Sequence, residues 1–250
     1  MGMPISVLVR DADARTDEVD ARVREVFADL RDADETFSTY KENSEVSRLA
    51  RGEAIAWSPD LQAVQALCDR ARDLTGGAFD TRRPDGVWDP SGLVKSWAVE
   101  RAAARLRGLD FCLNAGGDVH VEAPSGEPFR VGVQDPRDPR DVLEVLEVTY
   151  GGVATSGTAA RGAHLYDPAT GRPTARVLSV TVTGPSLQTA DVLATAVFVR
   201  GPAVLAPGYE ALVVDAAGGT ERTPGWNDIV VISSPVQPSR TLDHWSRPPA

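Results

Sequence analysis

Phe111-Cys-Leu-Asn-Ala-Gly-Gly-Asp-Val-His-Val-Glu122 holds two short runs rich in apolar and β-branched residues, 111–113 and 119–122, separated by a glycine turn. Such runs read as strands, and the glycines admit the positive φ angles of a tight connection. A link this short has no room for a crossover helix, so these strands cannot be parallel neighbours. Outward from this segment the pattern repeats. Residues 129–133, 142–150, 178–182, 211–215 and 228–232 read as further strands, and 5–10 as the first. Because many consecutive strands lack an intervening helix, a purely parallel sheet is excluded in favour of a mixed helix-and-sheet, α+β domain.

Helical periodicity marks the other layer. Val19, Val23, Val26, Phe27, Leu30 and Ala33 recur at helical spacing over 17–37. Ser58-Pro59-Asp60 places a capping residue and an early proline before Leu61, Val64, Leu67, Cys68 and Ala71, which predicts a helix to about Leu74, stopped by Gly76-Gly77. Trp97, Val99, Ala102, Ala103 and Leu106 predict a third helix ending near Gly108, and a fourth is expected over 187–200. One domain is expected over 1–232. The Pro- and Ser-rich, aperiodic stretch 233–250 reads as a flexible tail.

At 250 residues and 42% hydrophobic, the chain can bury a sizeable core. Its 36 acidic and 26 basic residues give a net charge of −10, which argues against a general nucleic-acid binder. Cys68 and Cys112 form no C-x-x-C unit and no zinc spacing, and read as buried free thiols. No run of 18 apolar residues offers a membrane span, and the first ten residues lack an export signal. Cytoplasmic residence is the expectation.

Chemistry concentrates in a few motifs. In Thr189-Ala-Asp191-Val-Leu-Ala-Thr195-Ala, a carboxylate and a hydroxyl four residues apart share one helix face and suit a hard cation such as Mg²⁺. Capping of that helix by Thr189 or Asp191 is the competing role. Four glycine-rich segments are read as turns able to cradle an anion: 76–80, 89–95, 114–118 and 154–158. None matches a dinucleotide or nucleoside-triphosphate fingerprint. Lys95 stands alone among apolar neighbours at a helix entry, placed to neutralise a phosphate or a core carboxylate. His164, ahead of Asp167-Pro168, is a candidate proton acceptor, with a structural role as the alternative; His120 and His244 read as structural. Ser156 sits in no nucleophile elbow, so covalent catalysis gains no support.

Taken in order, these segments resemble the ApbE-like FAD:protein FMN transferases. The resemblance is carried by Phe37-Ser-Thr-Tyr40 with Asn43-Ser44-Glu45-Val46, Gly77-Ala-Phe79-Asp80, Asp89-Pro-Ser-Gly92-Leu-Val-Lys95, Asn114-Ala-Gly-Gly117-Asp118, Gly152-Val-Ala-Thr155-Ser156-Gly157, 164–171 and Ala190-Asp191-Val-Leu-Ala-Thr195-Ala. It implies a T-fold-like domain, bound FAD and Mg²⁺, and transfer of FMN to a Ser or Thr hydroxyl of an acceptor flavoprotein with release of AMP. On this resemblance Asp191, Thr195 and the Val94 carbonyl hold the metal, with His164 as base and Asp191 as its catalytic companion. Phe37, Tyr40, Ser44, Glu45, Phe79, Asp80, Lys95, Gly117, Asp118, Thr155, Ser156 and Gly157 surround the FAD. Two positions depart from the family pattern: Ser96 replaces the glycine usual after the lysine, and Ala160 stands where an acidic residue commonly precedes the arginine. The alternatives are an FAD pyrophosphate hydrolase giving FMN and AMP, and a non-catalytic FAD-binding protein.

Overall fold

The structure is a computed structural model that describes residues 2–10, 16–157, 166–174 and 177–233. The chain opens with β1 (Ile5–Val9) and four helices: α1 (Asp17–Phe37), α2 (Glu45–Ala50), α3 (Pro59–Leu74) and α4 (Ser91–Ala103). Five strands follow: β2 (Phe111–Ala115), β3 (Asp118–Glu122), β4 (Phe129–Gln134), β5 (Val142–Val148) and β6 (Tyr150–Gly157). A short ribbon, β7 (Tyr166–Asp167) and β8 (Arg172–Pro173), leads to β9 (Val177–Gly184) and α5 (Leu187–Arg200), then β10 (Glu210–Asp215), β11 (Thr220–Arg222) and β12 (Val230–Ser233).

Seven strands form the main sheet in the order β1-β2-β3-β6-β9-β10-β11, and β12-β5-β4 form a second sheet, all neighbours antiparallel. Gly116 and Gly117, at φ 64° and 101°, close the β2–β3 hairpin in the left-handed geometry that a two-residue connection demands. Strand alternation then sorts side chains into two cores. Phe111, Leu113, Ala154, Val180, Val182, Ala211 and Val213 face α1, α4 and α5, while Val119, Val121, Val153, Leu212 and Val214 face the second sheet. Each fully buried aliphatic or aromatic side chain contributes about 1.5–3 kcal/mol.

Helix ends follow their sequence signals. Thr16 caps α1 ahead of Asp17, Glu18 and Asp20, and Ser58 caps α3 with proline in its first turn. For α5 the cap is Ser186, whose hydroxyl accepts the Thr189 amide, and Gly201 at φ 87° ends it. This removes the capping role weighed for Thr189 and Asp191, which both lie inside the helix. Other expectations also change. The segment 154–158, read as a turn, is β-strand through Gly157, paired with β9. The apolar run 142–150 divides between two sheets, α4 begins at Ser91 rather than near Trp97, and α2 had no sequence signal long enough to mark it. Ser233, placed in the tail, belongs to β12; residues 234–250 lie outside the described set. Among the described residues no helix is long and apolar enough to cross a membrane.

Candidate active site

Three elements converge where the helix layer meets the middle of the main sheet. From β3, Asp118 points to the helix side, because Val119 and Val121 occupy the other face. From α4 comes Lys95, and from α5 Asp191 with Thr195 one turn further on. The Lys95 ammonium contacts Asp118 Oδ2 and lies 3.7 Å from Asp191 Oδ2. Both aspartates are buried, at 2% and 5% exposure, so two buried carboxylates share the ammonium of a partly exposed lysine. Burial pushes the Asp191 carboxyl up to about 6; Lys95 opposes the rise and the Asp118 charge adds to it. Asp191 Oδ2 and Asp118 Oδ2 are both fully enclosed without a hydrogen bond among the described residues, each facing the Lys95 ammonium, a costly arrangement in a folded interior.

The neighbouring strand completes the cluster. Asp118 Oδ1 accepts the Thr155 amide (3.1 Å), which fastens the start of β3 to β6. Ser156, on the helix side of β6, shares a hydrogen bond of 3.0 Å with the Thr195 hydroxyl, and Thr155 shares one of 2.8 Å with Thr181 on the opposite face. Gly152 allows this close seating: a Cβ there would collide with the Leu187 backbone of α5, whereas Gly157 lets β6 lie close to the Leu178 carbonyl of β9. Helix α5 therefore rests on bare backbone, which brings Thr195 down to Ser156.

Six residues singled out by sequence are thus joined: Lys95, Asp118, Thr155, Ser156, Asp191 and Thr195, with Gly157 beside them. Val94 is buried inside α4, where a carbonyl ordinarily accepts the amide four residues on, so its oxygen is the weakest metal donor of the set. Gly117 shapes the hairpin and donates its amide to Asn114 Oδ1.

The earlier motifs serve local structure. Phe37 packs edge-on against Trp97, Ser44 caps α2 and donates to the Ser38 carbonyl, and Glu45 accepts the Ser58 amide. Phe79 is buried beneath Gly92, and Asp80 accepts the Arg82 amide and pairs with Arg72. Tyr40 is 96% exposed and open to a ligand. His164 lies outside the described residues, as does the segment 158–165 around it. Thr181 escaped the sequence reading. Its signal was the row Ser179, Thr181, Thr183 on one face of an otherwise apolar strand. Ser96 is fully buried and donates to the Leu93 carbonyl. His120 is buried against Phe111, with Nε2 3.5 Å from Glu122.

Two concavities, of about 410 and 350 Å³, lie elsewhere. One runs between α3 and α5 past Leu67, Leu74 and Val192; the other borders Leu49, Val87 and Trp88. Neither is walled by the lysine or its aspartates, since Lys95 itself fills the space between the two carboxylates.

An antiparallel sheet backed by helices, with two buried carboxylates around one lysine and an Asp/Thr pair on one helix face, defines an α+β protein. The sequence model of the ApbE family matches residues 1–83 and 81–210, and the chain belongs to that family. It is 29% identical over 168 residues to the FAD:protein FMN transferase of Vibrio cholerae, covering 61% of this chain and 50% of that protein. Against the enzyme of the same name from Haemophilus influenzae it is 26% identical over 272 residues, covering 80% and 79%. The chain thus spans about half the length of the first relative and most of the second. In structure it matches the flavin transferase ApbE from Vibrio cholerae with a TM-score of 0.77, at 26% identity over 92% of this chain and 96% of that one. The ApbE protein from Thermotoga maritima shares the fold with a TM-score of 0.75 at 24% identity, covering 91% and 95%.

Proposed function

We propose that this chain is an FAD:protein FMN transferase that moves FMN from FAD to a Ser or Thr hydroxyl of an acceptor flavoprotein and releases AMP. The observation that carries the proposal is the unsatisfied, buried Asp191 Oδ2 one helical turn from the Thr195 hydroxyl, in a member of the ApbE family. That donor set fits Mg²⁺. One carboxylate and one hydroxyl leave most of a six-oxygen shell to water and phosphate, as this ion prefers. Among the described residues no group of three or more His, Cys, Asp or Glu could hold a metal ion, so the proposal rests on the Asp191–Thr195 pair. When bound there, Mg²⁺ would offset the charge on phosphate oxygens.

The chain's own residues do the rest. Asp191 and Thr195 fix where the pyrophosphate sits, and Lys95 supplies positive charge behind it. The acceptor hydroxyl attacks the FMN phosphorus, a phosphoester forms, the pyrophosphate bond breaks and AMP leaves. His164 is assigned to take the hydroxyl proton, a role for which histidine's near-neutral pKa suits it. Incubation with FAD, Mg²⁺ and folded candidate acceptors, followed by intact-mass measurement, tests this. An added FMN phosphoester on Ser or Thr, lost in His164→Ala and Asp191→Ala, is the expected result. Free FMN and AMP with every acceptor unmodified would make the protein a hydrolase; no cleavage of FAD would leave a flavin-binding protein.

A further inference from the structure

Lys95 and Asp191 pose a conflict. A cation is to bind Asp191, yet the ammonium of a partly exposed lysine already lies 3.7 Å from it. The ammonium is drawn away by Asp118, whose Oδ2 it contacts directly. Asp118 is itself immobilised: its other oxygen accepts the Thr155 amide, and the residue opens β3 directly after the Gly116-Gly117 turn. We infer that Asp118 is a positioning residue that parks the Lys95 charge, keeping Asp191 open to a divalent cation.

The inference rests on the metal role proposed above for Asp191, and it assigns Asp118 a task different from touching FAD. With 2% of its surface exposed, Oδ1 accepting the Thr155 amide and Oδ2 engaged, among the described residues, only by the Lys95 ammonium, Asp118 is held for that ammonium rather than for a ligand. Remove its charge and Asp191, 3.7 Å away, is the carboxylate toward which the ammonium is drawn. Lysine has a long, flexible stem and a compact charge, so a shift of about an ångström suffices for a close ion pair. A divalent cation must then displace that ammonium before it binds. The same logic makes Lys95 a competitor of the metal rather than its support while no phosphate is present.

The test measures Mn²⁺ binding to the full chain by electron paramagnetic resonance, without nucleotide, in wild type, Asp118→Asn, Lys95→Met, the Asp118→Asn/Lys95→Met double variant and Asp191→Asn. Asn is isosteric with Asp and keeps an oxygen for the Thr155 amide. Asp118→Asn should weaken Mn²⁺ binding at least tenfold, Lys95→Met should leave it as tight as wild type or tighter, and the double variant should return to within threefold of wild type. Asp118→Asn binding like wild type would overturn the inference, as would a double variant as weak as Asp118→Asn alone, which would make Asp118 a metal donor or a scaffold. Should Asp118→Asn fail to fold, Lys95→Met still decides: weaker binding there means that Lys95 supports the metal and the inference is wrong. Wild type without Mn²⁺ affinity, or Asp191→Asn with undiminished affinity, would instead defeat the metal assignment on which the inference stands.

Discussion

Two buried polar clusters sit on opposite faces of the main sheet, and they are finished differently. On the side of the second sheet, Glu144 is wholly buried; Oε1 accepts both Arg222 Nε (2.8 Å) and Nη2, and Oε2 accepts the Trp226 indole N–H (2.6 Å). Arg222 Nη1 also donates to Thr220. On the helix side, two carboxylates share one ammonium, and Asp191 Oδ2 has no hydrogen bond among the described residues. A satisfied network holds a fold together, whereas a buried acid left without a donor is tolerated where something else is to bind. Polarity and burial are alike in the two clusters; completeness separates a staple from a site.

The largest effect that would break this contrast is on stability. Glu144→Ala removes the carboxylate partner of a mostly buried guanidinium, which keeps only Thr220, and leaves the indole N–H without an acceptor; breaking a buried pair in this way costs about 3–5 kcal/mol. Urea unfolding should show that loss with an unchanged m-value. Glu144→Gln, which keeps an acceptor but no charge, should lose less. A cost below about 1 kcal/mol for Glu144→Ala would mean that the cluster is not a staple.

Asp191→Asn should behave in the opposite way. Turnover should fall at least about 100-fold, near 2.7 kcal/mol of transition-state stabilisation, while metal-free stability at pH 8 should hold or rise. The sign follows from the raised pKa. A carboxyl pushed up to about 6 in the folded state, from the ordinary aspartate value near 3.8, gives stability that is present below pH 4 and is lost as pH rises through 6. Asparagine carries no such titration, so the variant should gain on wild type between pH 4 and 6 and keep the gain above. Unfolding curves at pH 4, 6 and 8 without metal check this; a variant that loses stability at pH 8 would place Asp191 among the staples.

How much of this was visible in sequence depends on range. The helices 17–37, 59–74 and 187–200 were legible, the first and second by their apolar period and the second also by its Ser58 cap, while the caps Thr16 and Ser186 emerge only from the structure. Asp191 and Thr195 were legible as a pair, since spacing within one helix is local information. Their partners were not. Nothing near Lys95 in the chain shows that it lies between Asp118 and Asp191; that follows from how β3, α4 and α5 stack. The segment 154–158 looked like a turn because its small residues and glycine suggest one. They are instead what lets a central strand pass beneath α5, an argument that needs the packing of Gly152 on Leu187. Phe37, Phe79 and Ser44 of the flavin-transferase motifs show the converse: motif matching groups them, while their packing and capping in the folded chain could not be read from the motifs.

The smallest expected effect sharpens the comparison most, because Thr195 belongs to both categories. Its hydroxyl is hydrogen-bonded to Ser156 at 3.0 Å, like a staple, and lies one turn from the unsatisfied Asp191, like a donor in a site. Thr195→Ala removes a neutral ligand that water can replace, so metal affinity should fall only about tenfold, near 1.4 kcal/mol. The Ser156 hydroxyl, 9% exposed at the residue level, would lose its partner, and a net intramolecular hydrogen bond is worth about 0.5–1.5 kcal/mol of stability. Thr195→Ser keeps the oxygen and should preserve both quantities. Thr195→Val keeps the shape and deletes the oxygen, so it should match Ala in metal affinity while losing less packing than Ala does. Mn²⁺ titration and urea unfolding on the three variants separate the roles. A staple would give a stability loss with unchanged affinity in Ala and Val, whereas a donor gives an affinity loss that tracks the oxygen, present in Thr and Ser and absent in the other two.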